Sequence, residues 1–149
     1  NPDELILEQY KIYSEHKDKF VDRSFVTNKF YLALILLLIL VMFLTKDYSF
    51  VYGLSSTFVF SAAGLTLCIL WWINVDSYNF LIKVKLASVL EEIEKRLPIQ
   101  PFTLESNAIK ELRKRKREFL FADIQKALAV LFFLLFFLLF SYEFFLIFF

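Results

Sequence analysis

An all-α membrane protein of three long helices is predicted from three features of this chain. No glycine or proline lies between Asp3 and Tyr52, only Gly64 interrupts residues 54–97, and neither residue type occurs from Phe102 onward. Each of these stretches of about 45 residues contains a long apolar run. The composition is 58% hydrophobic and 19% aromatic, more than the core of a soluble 149-residue chain would hold. Glycine and proline carry the largest helix penalties, so their absence favours unbroken helices. At 1.5 Å rise, about 45 residues span about 67 Å, whereas the hydrocarbon core of a bilayer is about 30 Å thick. Each helix is expected to cross the membrane and to extend into water, where the extensions would form a cytoplasmic helical bundle.

The first helix starts at Asn1-Pro2-Asp3-Glu4: an N-cap residue, proline at the first helical position, then acids against the positive end of the helix dipole. Residues 1–29 read as a cytoplasmic amphipathic helix. Ile6, Tyr10, Tyr13, Phe20 and Thr27 form a narrow seam, with Lys17 and Ser24 between them. Residues 30–45 are the first span, with Tyr31 near one membrane interface and Lys29 and Lys46 at its ends.

Residues 46–49 make a short external loop, and 50–75 form the second span. This span is softer, with Ser55, Ser56, Thr57, Ser61, Gly64 and Thr66. Small residues permit close helix approach, and simple packing against the first helix is favoured over a pore-lining role. Trp71 and Trp72 are expected to anchor at an interface.

Residues 76–126 read as a cytoplasmic helical hairpin. Tyr78, Ile82, Leu86, Val89, Ile93 and Leu97 recur every three or four residues, while Lys83, Lys85, Glu91, Glu92, Glu94, Lys95 and Arg96 fill the other side. Pro98 and Pro101 set an elbow. Thr103 is the expected N-cap of the next helix. Residues 127–149 form the third span, interrupted only by Ser141, Tyr142 and Glu143.

Lysine and arginine counts orient the chain. Five precede Lys46 and eleven lie in residues 76–126. The positive-inside rule then places the N-terminus and the hairpin in the cytoplasm, and the C-terminus outside a bacterial inner membrane.

Chemistry-bearing motifs are sparse. One Cys and one His leave no room for a zinc cluster, and no phosphate loop, HExxH or GxSxG occurs. No enzyme activity, cofactor or metal is expected. Glu143 has two readings. Either it ends the span beside external headgroups, or it faces an oligomer axis with Ser141, as an intramembrane polar contact or part of a pore mouth. Arg113, Lys114, Arg115, Lys116 and Arg117 form a collar around a helix, read as solvated, as a contact for anionic lipid, or as a partner-docking surface. A net charge of +1 and the lack of interleaved aromatic residues do not favour nucleic acid.

Two segments resemble a family of small bacterial integral membrane proteins. One is Leu5-Ile6-Leu7-Glu8-Gln9-Tyr10-Lys11-Ile12-Tyr13, followed by Arg23 and Asn28. The other runs from Trp71-Trp72 through Ser77-Tyr78, Lys83 and Glu94 to Leu97-Pro98-Ile99-Gln100-Pro101-Phe102. The layout is similar to that of SLATT membrane effectors, which have two spans where this chain has three. That resemblance implies a homo-oligomeric, channel-like or membrane-perturbing effector or accessory subunit of bacterial antiviral defence. The alternative is an immunity or scaffold subunit that docks a soluble defence protein. A signal nucleotide would then act through such a partner.

Overall fold

The computed structural model describes residues 2–47, 54–98, 100–116 and 121–148. Among the described residues five α-helices follow one another: α1 Pro2–Leu44, α2 Ser56–Phe80, α3 Ser88–Glu94, α4 Pro101–Lys116 and α5 Phe121–Phe148. A π-helical segment, Leu81–Ala87, joins α2 to α3 without a break. Asn1, the expected cap of α1, lies outside the described residues, as does Arg117.

The expected third rod appears as α4 and α5, with residues 117–120 between them outside the description. Three helical stretches, Glu4–Leu44, Ser56–Glu94 and Asp123–Phe148, are long and apolar enough to cross a membrane.

The chain divides into two compact units. One comprises Asn1–Phe25 and Asp76–Asp123; the other comprises Val26–Val75 and Ile124–Phe149. Charge divides with them: in the second unit only Lys29, Lys46, Lys126, Asp47 and Glu143 are charged. The units are called polar and apolar below.

Within the apolar unit, α2 runs antiparallel to both α1 and α5. Asn28 of α1 meets Trp71, and Thr45 just beyond α1 meets Ser56. On the other side Phe136 of α5 lies against Gly64, Phe140 stacks on Phe58 at 4.7 Å, and Glu143 meets Ser55. The core is small: Ile35, Cys68, Trp71, Val75, Ala129 and Phe136.

At Gly64 itself the close approach is made to α5. A Cβ at Gly64 would stand 2.5 Å from the Phe136 ring. Phe136 is itself 0% exposed, so the ring has little room to yield.

Within the polar unit, α3 and α4 form the elbow around Pro98 and Pro101. Helix α4 begins at Pro101, where proline's missing N–H costs nothing. Thr103 is therefore inside the helix and not its N-cap. Leu104 N–H already donates to the Gln100 carbonyl at 3.1 Å.

Gly64→Ala should lower stability by about 1–3 kcal/mol through overpacking, with Gly64→Val lower still. Thermal melting of the detergent-purified protein measures the loss. Phe136→Leu should recover much of it in the Gly64→Ala background and not in wild type, the sign of a direct contact.

Candidate functional site

In the polar unit Glu94, the last residue of α3, ties three segments of the chain together. It is 0% exposed, although its sequence neighbours suggest a solvated charge. Its carboxylate accepts the Phe102 N–H at 2.7 Å, the Thr103 N–H at 2.9 Å and the Thr103 hydroxyl at 2.8 Å. The Tyr10 hydroxyl of α1 donates to the same group at 3.0 Å. A carboxylate from another helix thus caps α4, satisfying orphan N–H groups and complementing the dipole.

Burial pushes the Glu94 carboxyl upward. The hydrogen bonds from Thr103, from the backbone of Phe102 and Thr103 and from Tyr10 outweigh it, so the group sits below the usual carboxylate range. Tyr10 is pushed up to about 12 by burial, by its bond to Glu94 and by the charges of Glu94 and Glu105. Lys17 reinforces the elbow from α1, its ammonium 4.1 Å from the centre of the Phe102 ring.

The signal for Glu94 was present in the sequence. It stands four residues after Leu90 and three before Leu97, a spacing that turns it toward the buried side although the charge pattern groups it with the opposite face. Leu90 is 1% exposed.

In the apolar unit, polar groups bracket both ends of a long apolar interval. At one end the Trp71 indole N–H donates to Asn28 Oδ1 at 2.9 Å, and Tyr31 stacks on Trp71 at 6.4 Å between ring centroids. Trp71 is only 1% exposed, so its ring is enclosed by helix–helix contact. Trp72 is the exposed member of the pair, with the Lys126 ammonium 5.3 Å from its ring. Asn28 Nδ2 and Asn74 Oδ1, both buried atoms, have no hydrogen-bond partner.

At the other end, Ser55 caps α2 by accepting the Phe58 N–H at 3.1 Å. The same hydroxyl donates to Glu143 Oε2 at 2.6 Å. Glu143 is half-buried at the positive end of α2, while Ser141 is exposed. The Ser56 hydroxyl donates to the Thr45 carbonyl, closing α1 onto α2.

Trp72 lies seventeen positions from Ser55, and Glu143 seventeen positions from Lys126. Both intervals amount to about 25 Å of helix, close to the hydrocarbon thickness of a bilayer. In the predicted basic collar Arg113, Lys114, Arg115 and Lys116 lie on α4, and their side chains are outside the description. Among the described residues no group of three or more His, Cys, Asp or Glu could hold a metal ion.

These features define a helical integral membrane protein whose polar residues sit at the ends of its apolar interval and whose outer faces await cover. The chain belongs to the octameric membrane protein family (8xMP), whose family model matches residues 7–145. It is accordingly an oligomeric integral membrane protein. Searches of curated proteins and of solved structures gave no match.

Glu94→Ala should leave the Phe102 and Thr103 amides uncapped, at a cost of about 1–3 kcal/mol. Hydrogen exchange at residues 102–104 should accelerate, with little change in residues 56–80.

Acid should act on the same bonds. The folded-state pKa of Glu94 is depressed, so its stabilisation is complete above the ordinary glutamate pKa of about 4.3. It is lost as pH falls below that value and through the lower folded one. Elbow protection that fails already near neutral pH would contradict this assignment.

Trp71→Phe should remove the donor to Asn28 and lower the melting temperature, whereas Trp72→Phe, exposed in the monomer, should lower it much less.

Proposed function

We propose that copies of this chain form a ring in the bacterial inner membrane, eight as the family's name states, and act as a channel-like or membrane-perturbing assembly without enzymatic activity. The observation that carries this reading is the uncovered apolar surface of the spans. Only 11% of the most apolar window of the first span, 28% of the second and 6% of the third is buried within one chain. Lipid covers part of such a surface, and neighbouring copies would cover the rest.

A ring of eight encloses space. Helices about 9–10 Å apart around an eightfold axis lie about 12 Å from it. Subtracting a helix radius of about 5 Å leaves an opening of about 7 Å radius. Whether ions pass depends on what fills that opening.

In this reading the basic residues of 1–29 and 76–126 face the cytoplasm, where the amphipathic extensions would bundle, and the C-terminus lies outside. The resemblance in layout to SLATT effectors read from the sequence is what motivates a role in antiviral defence. The second reading is an immunity or scaffold subunit that docks a soluble defence protein through the collar at Arg113, Lys114, Arg115, Lys116 and Arg117. A signal nucleotide would then reach the assembly only through that partner.

Purified protein in planar bilayers should give discrete conductance steps, and its native mass should equal eight chains. A mass of eight chains with a silent bilayer, in the presence of the partner as well as alone, would exclude the channel and favour the scaffold. Loss of a co-purifying partner on changing Arg113, Arg115 and Arg117 to Glu would support the second reading. Phage plaque counts with and without the gene test the defence role separately.

A further inference from the structure

We propose that Asn28 and Asn74 hold one structural water molecule in the seam between α1 and α2. Two buried amide atoms carry the proposal, and both belong to the apolar unit. Asn28 is 8% exposed, and its Nδ2 has no hydrogen-bond partner in the protein. The Oδ1 of Asn74 is buried and likewise without one. Leaving such atoms unsatisfied is costly, and internal water characteristically binds where they occur.

The chemistry of Trp71 fixes which atom of Asn28 is left over. An indole N–H can only donate, and Asn28 receives it at 2.9 Å. The receiving atom is therefore the oxygen, and the Nδ2 protons are the unmet donors.

Helix geometry brings the two asparagines to one place. Asn74 lies eighteen positions after Ser56, about five full turns, so both side chains leave α2 in the same direction. The Ser56 hydroxyl bonds the Thr45 carbonyl at the end of α1, so Asn74 also faces α1. Along the axis Asn74 is one turn past Trp71, the partner of Asn28. Helical side chains lean toward the N-terminus of their own helix. Because α1 and α2 are antiparallel, Asn28 leans toward the level of Asn74, and Asn74 leans back toward that of Asn28.

The pair of atoms selects the ligand. Nδ2 requires an acceptor and Oδ1 requires a donor. A cation would serve only the oxygen, and an anion only the N–H group. Water serves both and is small enough for a close-packed seam.

Other polar groups lie near in sequence. Thr27, Asp76, Ser77 and Tyr78 already have interactions of their own, and Tyr31 stacks on Trp71. Gln125, 6% exposed, is on α5, which meets α2 at Gly64 and Phe58. Ser24 stands one turn before Asn28. The bridge needs neither Gln125 nor Ser24, since two partners suffice to hold a water.

The test is solid-state NMR of the purified oligomer in lipid bilayers, with isotope-labelled asparagine, reading magnetisation transfer from water protons to the side-chain amides. The chain has five asparagines, so single substitutions assign the signals. The Asn28 amide should show direct water contact and should be untouched by a soluble paramagnetic chelate, as an enclosed water requires. Asn74→Leu keeps the shape of the side chain and removes the acceptor. It should abolish the water contact at Asn28 and lower the melting temperature by about 2–4 °C, the shift of one lost hydrogen bond in a chain of this size, with native mass unchanged. Gln125→Leu and Ser24→Ala should leave the contact in place.

Absence of water contact at Asn28 in the wild type would overturn the proposal, since the two amides would then bond each other directly or stay bare. Broadening of the Asn28 signal by the chelate would overturn it too, by placing this amide in bulk water. So would a higher melting temperature for Asn74→Leu, which would show that the oxygen had no partner to lose. Loss of the contact in Gln125→Leu or Ser24→Ala would remove the water from the Asn28–Asn74 pair. If Asn74→Leu fails to assemble, the wild-type spectra with and without chelate still decide the matter.

Discussion

A helix in contact with one or two neighbours can bury only the stripe that faces them, and the rest of its circumference must find another cover. In the apolar unit α2 lies between α1 and α5 and is the most enclosed of the three. Its buried residues Ser56, Ser61, Gly64, Cys68, Trp71 and Val75 recur every three to five positions. Helices α1 and α5 leave most of their leucines and phenylalanines in this unit outside. Water would penalise that surface heavily, whereas hydrocarbon and further copies do not. Both membrane residence and self-association follow from this shortage of neighbours.

The same constraint dictates where polar residues sit. Within hydrocarbon, helical backbones satisfy their own N–H and C=O groups, so polar side chains are needed only where helices end or leave the apolar interval. Ser55 illustrates the point by capping α2 and holding Glu143 through one hydroxyl. Asn28 at the opposite end accepts a hydrogen bond from the Trp71 indole N–H. Small hydroxyls within the span turn back on their own helix, as Ser61 does to the Phe58 carbonyl at 2.9 Å and Thr66 to the Ala62 carbonyl at 3.1 Å. The polar unit solves a different problem. There a carboxylate bends the chain, because two helices that meet at a proline elbow leave amides that one buried acceptor can serve together.

Helical content and the presence of three membrane-length apolar helices could be read from local pattern alone. Spacing of glycine and proline, hydropathy and charge are properties of the chain itself, and helices obey them with little help from distant residues. The details that hold the helices together were less legible. Glu94 looked like one more surface charge among Glu91, Glu92 and Lys95, and only its spacing from Leu90 and Leu97 hinted otherwise. Thr103 looked like a cap because threonine caps helices locally, but the capping oxygen comes from nine residues upstream. Trp71 and Trp72 were indistinguishable as a pair, though adjacent residues on a helix point about 100° apart and one had to turn inward.

By itself, then, the sequence determined that this chain is helical, that it has three segments able to span a membrane, and where its charges concentrate. Those outcomes depend on short-range energetics and on the polarity of each stretch. Tertiary structure alone decided that Gly64 receives Phe136, that Trp71 and not Trp72 is buried, that Ser55 engages Glu143, and that Glu94 closes the elbow. Each of these is a meeting of residues far apart in the chain, and helix periodicity says which face is available without saying which neighbour takes it.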